Sequence, residues 1–122
     1  RTEPVNFLQL WIRTEKENHS SAFHTRTFEN VNDWMNSMIP VFPVTAESEI
    51  PFLLSVGKFA GRGETNYKPK RNSSSLFVFV LEGAFEVEGR LLHARDGLAL
   101  YETKEIDMEA LSNDALVVLL EM

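Results

Sequence analysis

Residues 77–100 read Phe-Val-Phe-Val-Leu-Glu-Gly-Ala-Phe-Glu-Val-Glu-Gly-Arg-Leu-Leu-His-Ala-Arg-Asp-Gly-Leu-Ala-Leu, and this stretch decides the fold. Its short apolar runs are separated by Glu-Gly and Asp-Gly pairs, in which glycine tolerates the positive φ of a tight turn. From Phe85 to Glu88, apolar and charged residues alternate, so one face of this strand points inward and the other into water. The stretch therefore predicts consecutive antiparallel strands joined by tight turns.

The same pattern continues on both sides of this stretch, at the regular spacing that is typical of an all-β sandwich or barrel. Gly57 and the Gly61-Arg62-Gly63 triplet add further predicted turns. Eight strands are predicted from residue 52 onward: Phe52–Val56, Glu64–Lys68, Leu76–Leu81, Ala84–Val87, Arg90–His93, Leu98–Tyr101, Ile106–Leu111 and Ala115–Leu120.

The first 50 residues are less regular. The aromatic and branched run Phe7–Ile12 predicts a buried strand, and the polar residues 13–27 predict an exposed loop. In Asn30–Met38, capping side chains precede apolar residues at helical spacing, which predicts one short helix that ends before Pro40. Val41, Phe42 and Val44 are then expected in an edge strand or an extended connection.

Composition limits the class of protein. The chain has 122 residues, 43% of them apolar, which is enough for one domain with one core. Its net charge of −6 argues against a nucleic-acid partner, and no apolar run is long enough to span a membrane. The absence of cysteine favours the reducing cytoplasm. Because the chain starts at Arg1, we expect that a segment precedes it in the native protein.

Residues 77–100 resemble the second half of a cupin barrel, and together with Phe7–Ile12 they resemble the carboxy-terminal cupin domain of pirin-like proteins. This family includes bacterial quercetin dioxygenases. The resemblance implies a cupin-type jelly-roll sandwich or barrel in which residues 1–122 form one cupin domain, the C-terminal half of a bicupin. It also implies that any divalent metal is held by histidines and a glutamate in a missing N-terminal cupin domain.

Metal-binding cupins carry the motif G(X)5HXH(X)3,4E(X)6G, whose histidines and glutamate converge on one ion. With Gly83 as the final glycine, the glutamate position holds Leu76. The histidine pair falls on Lys70 and Asn72, or on Pro69 and Arg71.

The second cupin motif, G(X)5PXG(X)2H(X)3N, aligns with Gly89, Arg95 and Gly97. Its glycine spacing is kept, but its metal histidine becomes Leu100. Leucines and cationic or weak ligands cannot hold a divalent ion tightly. The sequence therefore predicts no metal site and no cofactor in this chain.

Other chemistry-bearing residues give weak signals. His19 and His24 lie in the polar loop and are interpreted as surface residues, and His93 is interpreted as structural or exposed. Two of the clustered carboxylates of Glu102, Glu105 and Asp107 could act as an acid–base pair, but a solvated edge is the preferred interpretation. No catalytic, cofactor-binding or metal-binding residue is assigned.

Three functions remain open. The preferred one is a non-catalytic cupin domain that packs against and supports a metal-bearing cupin domain. The second is a part of a metal-dependent quercetin dioxygenase, and the third is a regulatory cupin that binds a small apolar or phenolic ligand. For the third, Trp34, Met35 and Met38 could line an apolar pocket, although ordinary packing explains them equally well. The expected partner is a second cupin domain or another copy of the chain.

Overall fold

The computed structural model describes residues 3–13, 25–30, 33–42, 52–70 and 75–122. The regular elements in these residues are nine β-strands, and Asp33 alone has 3-10 conformation. The strands are β1 Ser37–Phe42, β2 Leu53–Phe59, β3 Glu64–Tyr67, β4 Leu76–Glu82, β5 Phe85–Val87, β6 Arg90–Leu92, β7 Gly97–Leu100, β8 Ile106–Ala110 and β9 Ala115–Glu121.

The strands form two antiparallel sheets that pack face to face as a cupin-type jelly roll. The five-stranded sheet has the order β1-β2-β9-β4-β7, and the four-stranded sheet has the order β3-β8-β5-β6. Alternate side chains of both sheets fill the space between them, and Phe59 meets Phe85 there edge to face, with ring centroids 5.3 Å apart. The fully buried core side chains include Leu76, Val78, Val80, Val87, Ile106, Met108, Val117 and Leu119.

All eight strands predicted from residue 52 onward are confirmed. The largest difference is in β2, which continues through Gly57 to Phe59, so the turn predicted at Gly57 is wrong. A Cβ atom at Gly57 would lie only 2.6 Å from both Met38 Sδ and Phe59 Cε1. Glycine is therefore needed here for close packing inside a strand and not for a turn.

The turns predicted at Gly83 and at Glu88-Gly89 are confirmed, with φ of 80° at Gly83 and 75° at Gly89. In two other turns an arginine near the predicted glycine takes the positive φ, 69° at Arg62 and 74° at Arg95. Both arginines are held by backbone hydrogen bonds, from Arg62 N–H to Ala110 O and from Arg95 N–H to Val80 O. Tertiary hydrogen bonding thus places the left-handed residue one position from the glycine at Arg62 and two positions from it at Arg95.

The short helix predicted over Asn30–Met38 is wrong in the residues that the structure describes there, 30 and 33–38. After a single turn at Asp33, the chain enters β1 at Ser37. Asn36 has φ of 62°, which no right-handed helix accepts. Pro40 lies within β1, and a strand tolerates proline here because β1 is an edge of its sheet. The edge strand expected at residues 41 and 42 is confirmed, and Val44 lies outside the described residues.

The buried strand predicted over Phe7–Ile12 is also wrong. These residues form no strand, and the side chains of Phe7 and Trp11 are 84% and 87% exposed. The run is apolar, but no strand in the described part of the chain pairs with it. Of the loop expected over residues 13–27, positions 14–24 lie outside the described residues. In the described ranges, no helix combines the length and apolar character that a membrane crossing requires.

Candidate functional site

The first candidate site is the barrel end where cupins hold their metal. Leu76 on β4 pairs directly with Leu100 on β7, so the glutamate position of the first motif and the histidine position of the second are neighbours. Both side chains contribute to the core. The fold thus brings these two positions together, but with leucines that offer no metal ligand.

The remaining motif positions offer no better ligands. Pro69 and Lys70 lie two and three residues after the end of β3, whereas Arg71 and Asn72, like His19 and His24, lie outside the described residues. Within the described ranges, no three His, Asp or Glu side chains are grouped so that they could hold a metal ion. The residues that the structure describes at this end do not fit the divalent metal that the cupin fold implies.

A buried polar cluster occupies this end of the barrel instead. Glu121 on β9 is fully buried and pairs with Leu53 on one side and Leu76 on the other, in the same row as Leu100. The Tyr67 phenol donates a hydrogen bond of 3.0 Å to Glu121 Oε1. The backbone N–H of Lys70 donates to both oxygens of Glu121, at 2.9 and 3.2 Å. One carboxylate therefore joins β9 to the end of β3 and to the segment that follows β3.

Ser55 on β2 extends this cluster. Its side chain is buried and is hydrogen-bonded to the Tyr67 phenol. Burial raises the pKa of Tyr67 far above its ordinary value of 10.0, and the negative charge and hydrogen bond of Glu121 raise the pKa further. The phenol is thus held in its protonated, donating form.

Sequence reasoning missed this cluster, although one signal pointed to it. In β9, Ala115, Val117 and Leu119 share the inward face, and the same alternation places Glu121 on that face. A charged residue at an inward position of an apolar strand is a candidate for a buried polar role.

The second candidate site is the outer face of the five-stranded sheet. Two rows of mainly apolar side chains cross this face from β1 to β7. The first row is Phe42, Leu54, Leu120, Phe77 and Ala99, and the second is Ile39, Val56, Val118, Phe79 and Gly97. We call these two rows the outer apolar face. Its aromatic rings are close together, with 6.3 Å between the stacked centroids of Phe77 and Phe79.

A segment over Val5–Trp11 adds further apolar surface beside this sheet. Its residues Asn6 to Leu8 line a small cavity together with Leu81, Arg95 and Leu116 of the barrel. In the same segment Val5, Phe7 and Trp11 are among the most exposed apolar side chains of the described residues. Isolated exposed apolar residues are normal, but several in one short segment mark an interaction surface.

The outer face of the four-stranded sheet has the opposite character. Glu64, Glu109 and Glu86 lie in one cross-strand row, and Glu109 also pairs with Arg62 at 3.3 Å. Asp107 lies in the next row, where Asn66 Nδ2 donates to its carboxylate at 2.7 Å. We call this surface the acidic face.

The other sequence candidates do not assemble into a site. Glu102 and Glu105 are exposed and lie outside the strands, apart from the row that holds Asp107. His93 is exposed at a turn, where its backbone N–H donates to Asp96 Oδ2. Of the three residues considered for an apolar pocket, Met38 packs on the core, and Trp34 contacts Phe28 with ring centroids 5.1 Å apart.

These features define a cupin jelly roll whose described metal-ligand positions carry no metal-binding side chains. The family described as the quercetinase C-terminal cupin domain matches residues 52–122, and the chain belongs to this family. The resemblance to pirin-like proteins found in the sequence is thereby confirmed. No curated protein matches the chain.

Solved structures show the same fold at low identity. YhhW from Escherichia coli matches with a TM-score of 0.65 and 17% identity, over 80% of this chain and 41% of its own. The structure of the bacterial pirin YhhW in complex with nickel(II), also from E. coli, matches with a TM-score of 0.54 and 18% identity, over 58% of this chain and 30% of its own. An RmlC-like cupin from Desulfovibrio desulfuricans matches with a TM-score of 0.56 and 19% identity, over 84% of this chain and 96% of its own. The chain thus spans less than half of the YhhW chains.

Proposed function

We propose that residues 1–122 are the non-catalytic C-terminal half of a bicupin. In this role the domain packs against a companion, metal-bearing cupin domain and supports it in the cytoplasm. The proposal is supported by the family of the chain, by leucines at two metal-ligand positions and by the share of the YhhW chains that it spans.

The observation that carries this proposal is the contrast between the two outer faces of the sandwich. The outer apolar face consists of two rows of mainly apolar side chains, of which Val118 and Leu120 are already buried within this chain and Phe77 is exposed, whereas the acidic face presents several carboxylates on neighbouring strands. A sheet with one face in water normally alternates apolar and polar residues, as the four-stranded sheet does. The five-stranded sheet departs from this rule, which is expected if both of its faces are covered in the complete protein.

The exposed apolar residues define the docking side more closely. Phe77 lies on the outer apolar face and is 37% exposed, and Phe7 and Trp11 project from the segment beside the sheet. The proposed occupant is the apolar sheet face of the companion cupin domain, because apolar surface of this kind is stabilised by burial against a similar surface.

Side-chain footprinting tests the proposal. The 122-residue chain and the longer native chain are exposed to hydroxyl radicals, and the labelling of Phe7, Trp11 and Phe77 is compared with that of Tyr101, an exposed aromatic residue after β7. We expect the first three to be protected at least about fivefold in the longer chain, as burial at an interface core requires, and Tyr101 to be labelled equally in both. Equal labelling of all four residues would overturn the docking. A stable dimer of the 122-residue chain that protects the same residues would replace the companion domain with a second copy.

The second candidate function is that the chain forms part of a metal-dependent quercetin dioxygenase. The family's description as a quercetinase C-terminal cupin domain favours it. Oxygen uptake with quercetin by the longer chain, loaded in turn with iron, manganese, copper, cobalt or nickel, tests it. The non-catalytic role of this half predicts that Leu76→Ala and Leu100→Ala leave the affinity for the metal unchanged in the longer chain. Loss of the bound metal in a variant that keeps its fold by circular dichroism would overturn that role.

A further inference from the structure

We infer that the buried network of Ser55, Tyr67 and Glu121 joins several strands at one end of the barrel, as a metal ion does in a metal-binding cupin. A bound ion joins ligands from several strands at one end of the barrel. Here the Glu121 carboxylate joins β9 to β3 and to the backbone of Lys70, while Tyr67 is hydrogen-bonded to Ser55 on β2. This inference does not depend on docking to a companion domain.

The position of the network supports this role. Glu121 lies in the same cross-strand row as Leu76 and Leu100, the two positions where the cupin motifs place a glutamate and a histidine. Lys70, whose N–H donates to Glu121, is one of the positions assigned to the histidine pair. The carboxylate thus binds the backbone of the segment whose side chains would otherwise bind the ion.

The same geometry closes this end of the barrel to divalent cations. A cation at Glu121 would have to displace the donors from Tyr67 and Lys70, both within 3.0 Å of Oε1. To act as a ligand itself, the phenol would have to release its proton, which burial beside a carboxylate opposes. A buried carboxylate whose donors are removed is strongly destabilising, so the hydrogen bonds persist.

Hydrogen exchange at the Lys70 amide tests the cross-link. In Glu121→Gln one oxygen can still accept from both Tyr67 and Lys70, but the side chain has no negative charge and its NH2 group cannot accept from the Lys70 N–H, so the hydrogen bonds are weakened. We expect the Lys70 amide to exchange at least about tenfold faster, because its hydrogen bond to a charged acceptor is lost. The matched control, Glu82→Gln, removes an exposed carboxylate and should leave this exchange unchanged. If Glu121→Gln does not fold, Glu121→Asp, whose shorter side chain withdraws the carboxylate from the Lys70 N–H, provides the same readout. Unchanged exchange of the Lys70 amide in the folded variants would overturn the inference.

Metal addition to the 122-residue chain tests the closed barrel end. Zinc, nickel or manganese, and separately a chelator, should move the Tm by less than about 1 °C, because a ligand that does not bind the native state does not stabilise it. Elemental analysis should find less than about a tenth of an equivalent of any metal. A full equivalent, or a metal-dependent rise in Tm above about 3 °C, would show that a cation binds and would overturn the inference. These results are separate from the footprinting, so the network and the docking can fail independently.

Discussion

Glu109 on β8 lies directly opposite Glu86 on β5, with no intervening strand. Glu64 faces Glu109 from the other side, so the centre of the acidic face is a row of three carboxylates. Arg62 pairs with Glu109 at 3.3 Å, but the Arg62 side chain is largely exposed, and exposed ion pairs contribute little to stability. Like charges directly opposite each other destabilise a sheet, so the row is expected to cost stability.

Glu86→Lys should therefore stabilise the fold, because it replaces a repulsive cross-strand pair with an attractive one. We expect a gain of about 0.5 kcal/mol in the free energy of unfolding at low salt, measured with urea. The gain should shrink in high salt, which screens exposed charges. Glu105→Lys makes the same change of charge outside the strands and is the control. Equal gains in both variants would show that net charge, and not the row, is responsible.

Tyr67 should make stability sensitive to alkaline pH. The pKa of Tyr67 is raised in the folded state. Its contribution to the free energy of unfolding is therefore fully present below pH 10.0 and declines as the pH rises above that value. The loss is at most about 1.4 kcal/mol per pH unit. The difference in unfolding free energy between the wild-type chain and Tyr67→Phe should therefore narrow above pH 10.0. Tyr101→Phe, which changes an exposed phenol, should keep the wild-type pH dependence, and a constant difference for Tyr67→Phe would contradict the prediction.

Substitution by alanine should destabilise the fold more at Gly57 than at Gly89, and for a different physical reason. In Gly57→Ala the new methyl group meets Met38 Sδ and Phe59 Cε1 at 2.6 Å, inside β2, and we expect a loss of about 2 kcal/mol. In Gly89→Ala nothing lies within 4 Å, and the positive φ alone costs about 1 kcal/mol. Thermal and urea unfolding of both variants measure the difference. A milder effect at Gly57 than at Gly89 would contradict the packing role of Gly57.

Asn36 should contribute to the stability of the fold through both its backbone conformation and its side-chain hydrogen bond. Its φ is 62°, and its Oδ1 accepts a hydrogen bond of 2.9 Å from the Ala60 N–H. Asn36→Gly keeps the backbone but loses this bond, at a cost of about 1 kcal/mol. Asn36→Ala adds the strain of the left-handed conformation, for a total of about 2 kcal/mol. Asn36→Asp keeps an acceptor and should be the mildest of the three; any other order in urea unfolding would contradict the assignment.

The sequence predicts the fold well where hydrophobic alternation and turn residues agree. All eight strands after residue 52 follow this pattern, because local preference and tertiary packing favour the same structure there. The same reasoning fails at residues 33–38, where helical spacing of apolar residues is overridden by the positive φ of Asn36 and the pairing of β1 with β2. It fails at Phe7–Ile12 because an apolar run does not show whether a neighbouring strand exists to pair with it.

The polar network illustrates a different limit. The loss of cupin ligands at Leu76 and Leu100 can be predicted from motif spacing alone. The polar network that occupies their place cannot be predicted in this way, because Tyr67 and Glu121 lie far apart in the sequence and meet only when β9 enters the sheet. Alternation along β9 places Glu121 inside, but only the structure shows which donors it meets.

The place of β9 in the five-stranded sheet has a consequence for folding. β9 is the central strand and joins the β1–β2 pair to the β4–β7 pair, which have no direct ladder with each other. Its register connects Leu53 to Glu121, so a very long loop must close before these contacts form. Topologies of this kind fold slowly, and the two strand pairs gain little from each other until the central strand is inserted. We therefore expect one slow, cooperative kinetic phase in refolding, with a transition state in which β9 already lies between β2 and β4.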